Sequence, residues 1–337
     1  MDLYFTDEEK LLINIIFFTK SVSGKFLQKV DFEKFVKVAS AYLLLPAVYQ
    51  KLKANKLLKF IPLELNCYLK EIYKLNLKRN EILVEELSYI EKILNSRQIS
   101  YLKLKGAYYL KKNELKFKSI RMIGDIDILI QKKQIKECLN IFLDKDYKFY
   151  KPLTKFWKKR HIPKLVKNDK VFSIELHEQL LLYSKSRFLK ADYFFENIKK
   201  NEDKLYIKHL ILNDQINDYN FLDAGINLKS IFDFYLIERT NINLRDYDNK
   251  YYRRFFLITD LIGITDFNLK YNIADKLFIL RYNFKRKFYF YFLIDSFISN
   301  LIKKFPIRIN QFIELSISQN YRKYVLKKFL DNLNKRI

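Results

Sequence analysis

Apolar positions recur at helical spacing along most of this chain and at alternate positions in a few short stretches, and that contrast divides it. From residue 1 to 95 the spacing is helical throughout. Thr6-Asp7-Glu8-Glu9 has the capping-box pattern, and Leu11, Leu12, Ile15 and Ile16 behind it form one apolar stripe. Pro46 and Pro62 each stand near the start of a further helical pattern. From Leu63 to Asn95, first Leu65, Leu69, Ile72 and Leu75, then Leu83, Leu87, Ile90 and Leu94 return every three or four positions, which predicts one long helix or two.

The period then drops to two. Ile99 to Leu104 reads as a strand, broken at Lys105-Gly106 and followed by the helical AYYLKK. Asp125-Ile126-Asp127-Ile128-Leu129-Ile130 alternates and is rich in β-branched residues, so it predicts a second strand. After it come a helix from Lys132 to Leu143, a turn at Lys145-Asp146-Tyr147 into strand-like YKFY, and a polar, basic segment from Lys151 to Lys170. A strand beginning at Val171 follows, and from residue 185 to 337 the helical period returns, with Asn/Asp-rich connectors at 213–215 and 217–220. No internal repeat or low-complexity segment interrupts this order.

Composition narrows the class. Hydrophobic residues at 49% with 30% charged describe a folded protein, and 337 residues suffice for a core without disulfides. Five glycines and five prolines are too few for an all-β fold of tight turns. Cys67 and Cys138 are far apart and form no cysteine metal cluster. MDLYFTDEEK is unlike a signal peptide, and apolar runs such as Phe255 to Gly263 are short and carry Asp260. The expectation is a cytoplasmic protein with no membrane span. The net charge of +26 favours a polyanion: nucleic acid, nucleotide or an anionic membrane surface. Lys, Asn, Ile, Tyr and Phe are abundant together, as in proteins from AT-rich genomes, and the lysines are spread along the chain rather than gathered in one block, so the charge alone selects none of these.

The candidate chemistry lies between residues 101 and 177. On a strand, residues two apart share a face, so Asp125 and Asp127 project together while Ile126 and Ile128 point into a core. Two carboxylates held that close repel unless a cation lies between them. Magnesium, which takes hard oxygen ligands and shares them with phosphates, is the expected ion. Strand, glycine turn and helix is an arrangement that presents backbone N–H groups to a phosphate, and Gly106 precedes Asp125 by nineteen residues. Trp157, Lys158, Lys159, Arg160 and His161 combine an aromatic ring with basic groups; they suit either a base and phosphate or a plain surface hairpin.

LKGAYYL, then RMIGDIDILI, then SIELH closely resemble the uncharacterised bacterial nucleotidyltransferases of the polymerase β-like superfamily, over roughly residues 35 to 240. The resemblance implies that Asp125 and Asp127 bind metal, that Glu175 is a third carboxylate on a neighbouring strand, and that Lys105 and Gly106 form a phosphate-contacting turn. That turn is usually Gly-Ser in the wider superfamily, and here Ala107 follows the glycine. Arg121 would hold a triphosphate or pair with a carboxylate. His177 would orient Glu175, touch substrate or serve the structure alone. Lys229 and Asp233, four apart on a helix, would form a surface ion pair or close over the nucleotide.

The reading is therefore α+β: a small mixed β-sheet nucleotidyltransferase core at 96–185, a polymerase β-like palm, between helical regions at 1–95 and 186–337. The expected reaction is Mg²⁺-dependent transfer of NMP from an NTP, ATP among them, with Mn²⁺ able to replace Mg²⁺. The acceptor would be a tRNA or RNA end, a protein side chain or a small molecule. The alternatives are a catalytically inactive, basic RNA-binding or partner-binding protein on the same fold, and a phosphotransferase or nucleotide hydrolase using the same carboxylates.

Overall fold

The computed structural model describes residues 2–18, 22–27, 30–112, 118–150, 160–237, 243–319, 321–323, 325–326 and 330. Its first helix, α1 (Asp7–Phe17), begins at the Thr6 capping box, in which the Thr6 hydroxyl accepts from the Glu9 amide and the Glu9 carboxylate from the Thr6 amide. Leu11, Leu12, Ile15 and Ile16 are wholly buried. Short α2 (Gly24–Leu27), then α3 (Phe32–Ala41) and α4 (Leu45–Ala54), complete this N-terminal group, and α1 packs on both α3 and α4.

The long periodic stretch is one helix, α5 (Leu63–Ser96), seated against α4. Its inward stripe contains Leu69, Leu83 and Leu87, but also two buried asparagines, Asn76 and Asn80. Buried amides need partners. Asn76 donates to the Ser119 carbonyl (2.9 Å), and Asn80 to the carbonyls of Lys118 and Arg121 (both 2.8 Å). Between them Arg79 donates to the Ile123 carbonyl at 2.6 Å. The segment entering the Asp-Ile-Asp strand is thus tied at 118–123 to the side of a rigid helix.

The sheet follows. Its parts are β1 (Tyr101–Lys103), α6 (Lys105–Lys112), β2 (Ile126–Ile130), α7 (Ile135–Leu143), β3 (Lys148–Phe149), β4 (Leu165–Val166) and β5 (Ile174–His177). The strand order is β1-β2-β5-β4-β3; β2 and β5 run parallel and the other neighbours antiparallel. β4 lies within the segment expected to be a basic connector. Ile126, Ile128, Ile130, Ile174 and Leu176 are buried, so the centre of the sheet is covered on its apolar face.

The remaining helices are α8 (Ala191–Asn197), α9 (Glu202–Leu212), α10 (Leu228–Ile237), α11 (Lys250–Ile262), α12 (Ile273–Lys287) and α13 (Tyr289–Ile317). One π-turn, Asn213–Asn217, continues α9, an irregularity that often marks a functional site. α9 packs on α10 and α11, and α12 on α13. The molecule is mixed α+β: a small five-stranded mixed sheet among many helices. No described helix is long and apolar enough to cross a membrane.

Candidate active site

Parallel pairing of β2 with β5 places Asp127 opposite Glu175 and Leu129 opposite His177. Alternation then brings Asp127, Glu175 and His177 to one face, where all three are at least nine-tenths buried. His177 Nε2 lies 2.9 Å from Asp127 Oδ1 and 3.4 Å from Glu175 Oε2. An ionised carboxylate only accepts, so Nε2 carries the proton in the Asp127 contact. His177 Nδ1 is buried without a partner.

Two lysines complete the neutralisation. Lys105 Nζ donates to Asp127 Oδ1 at 2.7 Å. Lys164, in the basic segment just before β4, bridges Asp125 Oδ2 at 2.5 Å and Glu175 Oε1 at 3.4 Å. Asp125 stands one residue before β2, and its other oxygen accepts from the Ser173 hydroxyl. Burial would raise the Asp127 carboxyl, but Lys105 and His177 outweigh it and hold Asp127 far below the ordinary carboxylate range. Glu175 is lowered too: burial and the Asp127 charge oppose the shift, and the His177 hydrogen bond, His161 and Lys105 produce it. Asp127 and Glu175 are therefore ionised.

One ligand atom from each of Asp127, Glu175 and His177 lies within 4.8 Å of the others, a spacing that fits a divalent ion. Two carboxylate oxygens and an imidazole nitrogen form a donor set for a divalent ion, which the imidazole would bind through Nε2 only with its proton moved to Nδ1. The Lys105 and Lys164 ammonium groups hold the carboxylates as a cation between them would. Asp125 meets this group through Lys164 rather than directly.

The Lys-Gly turn has a different build from the one the sequence suggests. The left-handed residue is Lys105 (φ 48°), a conformation uncommon for a side chain of this kind. Gly106 is already in the first turn of α6, and a Cβ there would meet the Ile123 side chain at 2.8 Å. Glycine is required for close packing of helix on loop. The first-turn amides of α6 have no acceptor within the helix.

Arg121 does pair with a carboxylate, that of Asp233 in α10. Arg121 Nε and Nη2 meet the two Asp233 oxygens at 2.5 and 2.9 Å, and both residues are buried. The expected Lys229–Asp233 surface pair is not formed, because Asp233 faces inward to Arg121. Lys229 has no ion-pair partner among the described residues, and the Arg121 charge, then burial, push its ammonium down to about 8.

Further groups surround this centre, two of them, Arg160 and His161, from the aromatic-plus-basic stretch of the sequence. The His161 ring is centred 5.2 Å from that of His177, and burial lowers its pKa. Trp157, Lys158 and Lys159 lie outside the described residues. Arg160 reaches across to Asn213 in the π-turn at 3.0 Å. Burial, then the Lys105 charge, push the fully buried His209 down to about 3. Burial raises Asp214 to about 7 and raises Asp218, which feels Lys105, Arg160 and Lys229. A detectable signal existed for Asn76 and Asn80: with Leu69, Ile72, Leu83 and Leu87 they keep the three-and-four spacing, so they are amides in an apolar register.

A small mixed sheet presenting grouped carboxylates beside a strand-to-helix turn is consistent with a nucleotidyltransferase domain. Residues 28–219, more than half of the 337, match the family described as uncharacterised nucleotidyltransferase, and the chain belongs to that family. No curated protein and no solved structure gives a significant match.

Proposed function

We propose that the protein transfers NMP from an NTP to an acceptor hydroxyl or phosphate with release of pyrophosphate, on a polymerase β-like palm formed by β1 to β5. The observation that carries the reading is the Asp127–Glu175 pairing with His177 bridging both, inside a chain of a nucleotidyltransferase family. Asp127, Glu175 and His177 would hold a divalent ion, with Asp125 joining once Lys164 swings aside; Mg²⁺ or Mn²⁺ would neutralise charge on the phosphates and lower the acceptor's pKa.

The chain's own residues supply the rest. Lys105 and the first-turn amides of α6, Gly106 among them, bind the β- and γ-phosphates. Lys229, which has no ion-pair partner among the described residues, adds a further cation. Arg121 acts by holding α10, and hence Lys229, against the segment that precedes β2. The acceptor oxygen attacks the α-phosphorus as the bond to the bridging oxygen breaks, and Glu175 takes the acceptor proton where the acceptor is a hydroxyl.

The test is incubation with Mg²⁺ or Mn²⁺ and each NTP labelled at the α-phosphate, with RNA, protein or small-molecule acceptors offered separately. Label in acceptor, increased in mass by one NMP, supports the reading and identifies the acceptor class. Transfer of the γ-phosphoryl group instead, or hydrolysis alone, would replace it with a phosphotransferase or hydrolase.

A further inference from the structure

The C-terminal helix pair is turned inside out, with polar side chains facing the protein and apolar ones facing outward. α13 packs inward with Asp295, Ser299 and Lys303, one turn apart in succession. Arg281 of α12 meets the two Asp295 oxygens at 2.6 and 3.1 Å and the Ser299 hydroxyl at 3.2 Å, while Lys303 reaches Asp223 at 2.5 Å. Asp295 and Ser299 are buried. The opposite side of α13 exposes Phe290 (74%), Phe297 (65%) and Phe305 (66%), with Leu301 between them. α12 continues the surface through Ile273, Leu277, Leu280 and Phe284, all exposed at helical spacing.

At 29 residues α13 is about 43 Å long, so its face alone rivals the largest apolar patch usual on a monomer. Such an area is normally covered. The charges among the apolar residues indicate by what. Lys276, Lys287, Lys304 and Arg308 are exposed. The acidic Asp275 and Asp295 are buried in ion pairs with Arg253 and Arg281, and Glu314 is half-buried. A two-fold pairing of this face with itself would set cation against cation. An anionic surface with an apolar interior complements it.

We infer that the outer face of α12 and α13 docks on an anionic lipid bilayer, lying in the headgroup plane with its phenylalanine and leucine side chains inserted. Neither helix is long and apolar enough to cross. The polar side of α13, held by Arg281 and Asp223, keeps the helix attached to the protein while the apolar side enters the lipid. The overall charge of +26 adds long-range attraction.

The full chain is tested by flotation with vesicles of phosphatidylcholine alone and of phosphatidylcholine mixed equally with phosphatidylglycerol. Binding is expected to the mixed vesicles only and to weaken with salt. Each cation near an anionic surface contributes about fivefold, so Lys304→Gln/Arg308→Gln should lower partitioning roughly 30-fold. Both side chains are exposed, so thermal unfolding should be unchanged; Phe297→Ser/Leu301→Ser should abolish insertion, read as loss of binding at high salt. Three outcomes overturn the inference: binding indifferent to lipid charge, no binding by folded monomer, or a vesicle-indifferent dimer whose dissociation follows Phe297→Ser. The last would assign the face to a second copy of the chain.

Discussion

Asp127 sits directly opposite Glu175 in the parallel pairing of β2 with β5, and one nitrogen of His177 reaches both carboxylates. Neighbouring ionised carboxylates in a buried setting repel, and Lys105, Lys164 and His177 are what hold them together. The charge balance of this cluster governs the first predictions.

Glu175→Gln keeps the size of the side chain and removes its charge. NMP transfer should fall roughly 10²- to 10³-fold, the usual effect of losing one charge-stabilising group at a reaction centre. The rate of pyrophosphate release measures it, with circular dichroism to show an intact fold. A variant as fast as the native protein would remove Glu175 from the chemistry.

Asp233→Ala would leave the buried Arg121 guanidinium without its partner. Stability should drop by about 3–5 kcal/mol in urea unfolding. Lys229 lies one turn before Asp233 and would lose its position, so NTP affinity should weaken as well. An unchanged unfolding midpoint would mean that α10 is held by other contacts.

Two opposite pH effects are expected. Asp127 and Glu175 are depressed in the folded state, so their contribution is present above the ordinary carboxylate pKa of about 4 and is lost as pH falls through the folded values. Asp214 is raised to about 7 by burial, so its contribution is present at low pH and lost as pH rises through about 7. Asp214→Asn should therefore gain stability relative to the native protein between pH 5 and 8, as about 4 is the reference for a free aspartate. Parallel stability curves for the two proteins would contradict this.

Gly106→Ala would drive a Cβ to within 2.8 Å of Ile123. Loss of stability on the order of 1–3 kcal/mol is expected from this overpacking. Adding Ile123→Ala removes the Cγ1, Cγ2 and Cδ1 atoms that the new methyl group would meet, so the second substitution should cost less in the Gly106→Ala background than alone, and a double-mutant cycle reads the coupling. Independent effects would show that α6 can move away from the loop.

Local pattern carried much of this architecture. The alternation of Ile126, Asp127 and Ile128 marks β2, and the spacing from Leu63 to Asn95 marks α5. Thr6 and Glu9 mark the first cap. What local pattern lacks is pairing at a distance. Arg121 and Asp233 are 112 residues apart, and nothing around Asp233 distinguishes an inward carboxylate from one on a helix surface. Lys105 takes the left-handed conformation expected near a glycine, because the surrounding contacts, not residue preference, decide it. In α13 the helical period was visible, but which side faces the protein depends on Arg281 and Asp223.

The most direct test is Mn²⁺ binding to the purified protein, followed by electron paramagnetic resonance with and without NTP, beside Asp127→Asn and Glu175→Gln. Stoichiometric binding that tightens with NTP and is lost in both variants is the predicted result. Folded protein that binds no Mn²⁺, or binds it equally well without these carboxylates, would contradict the account: the lysines would then close a permanent ion-pair cluster, and the basic surface would have to carry a non-catalytic function.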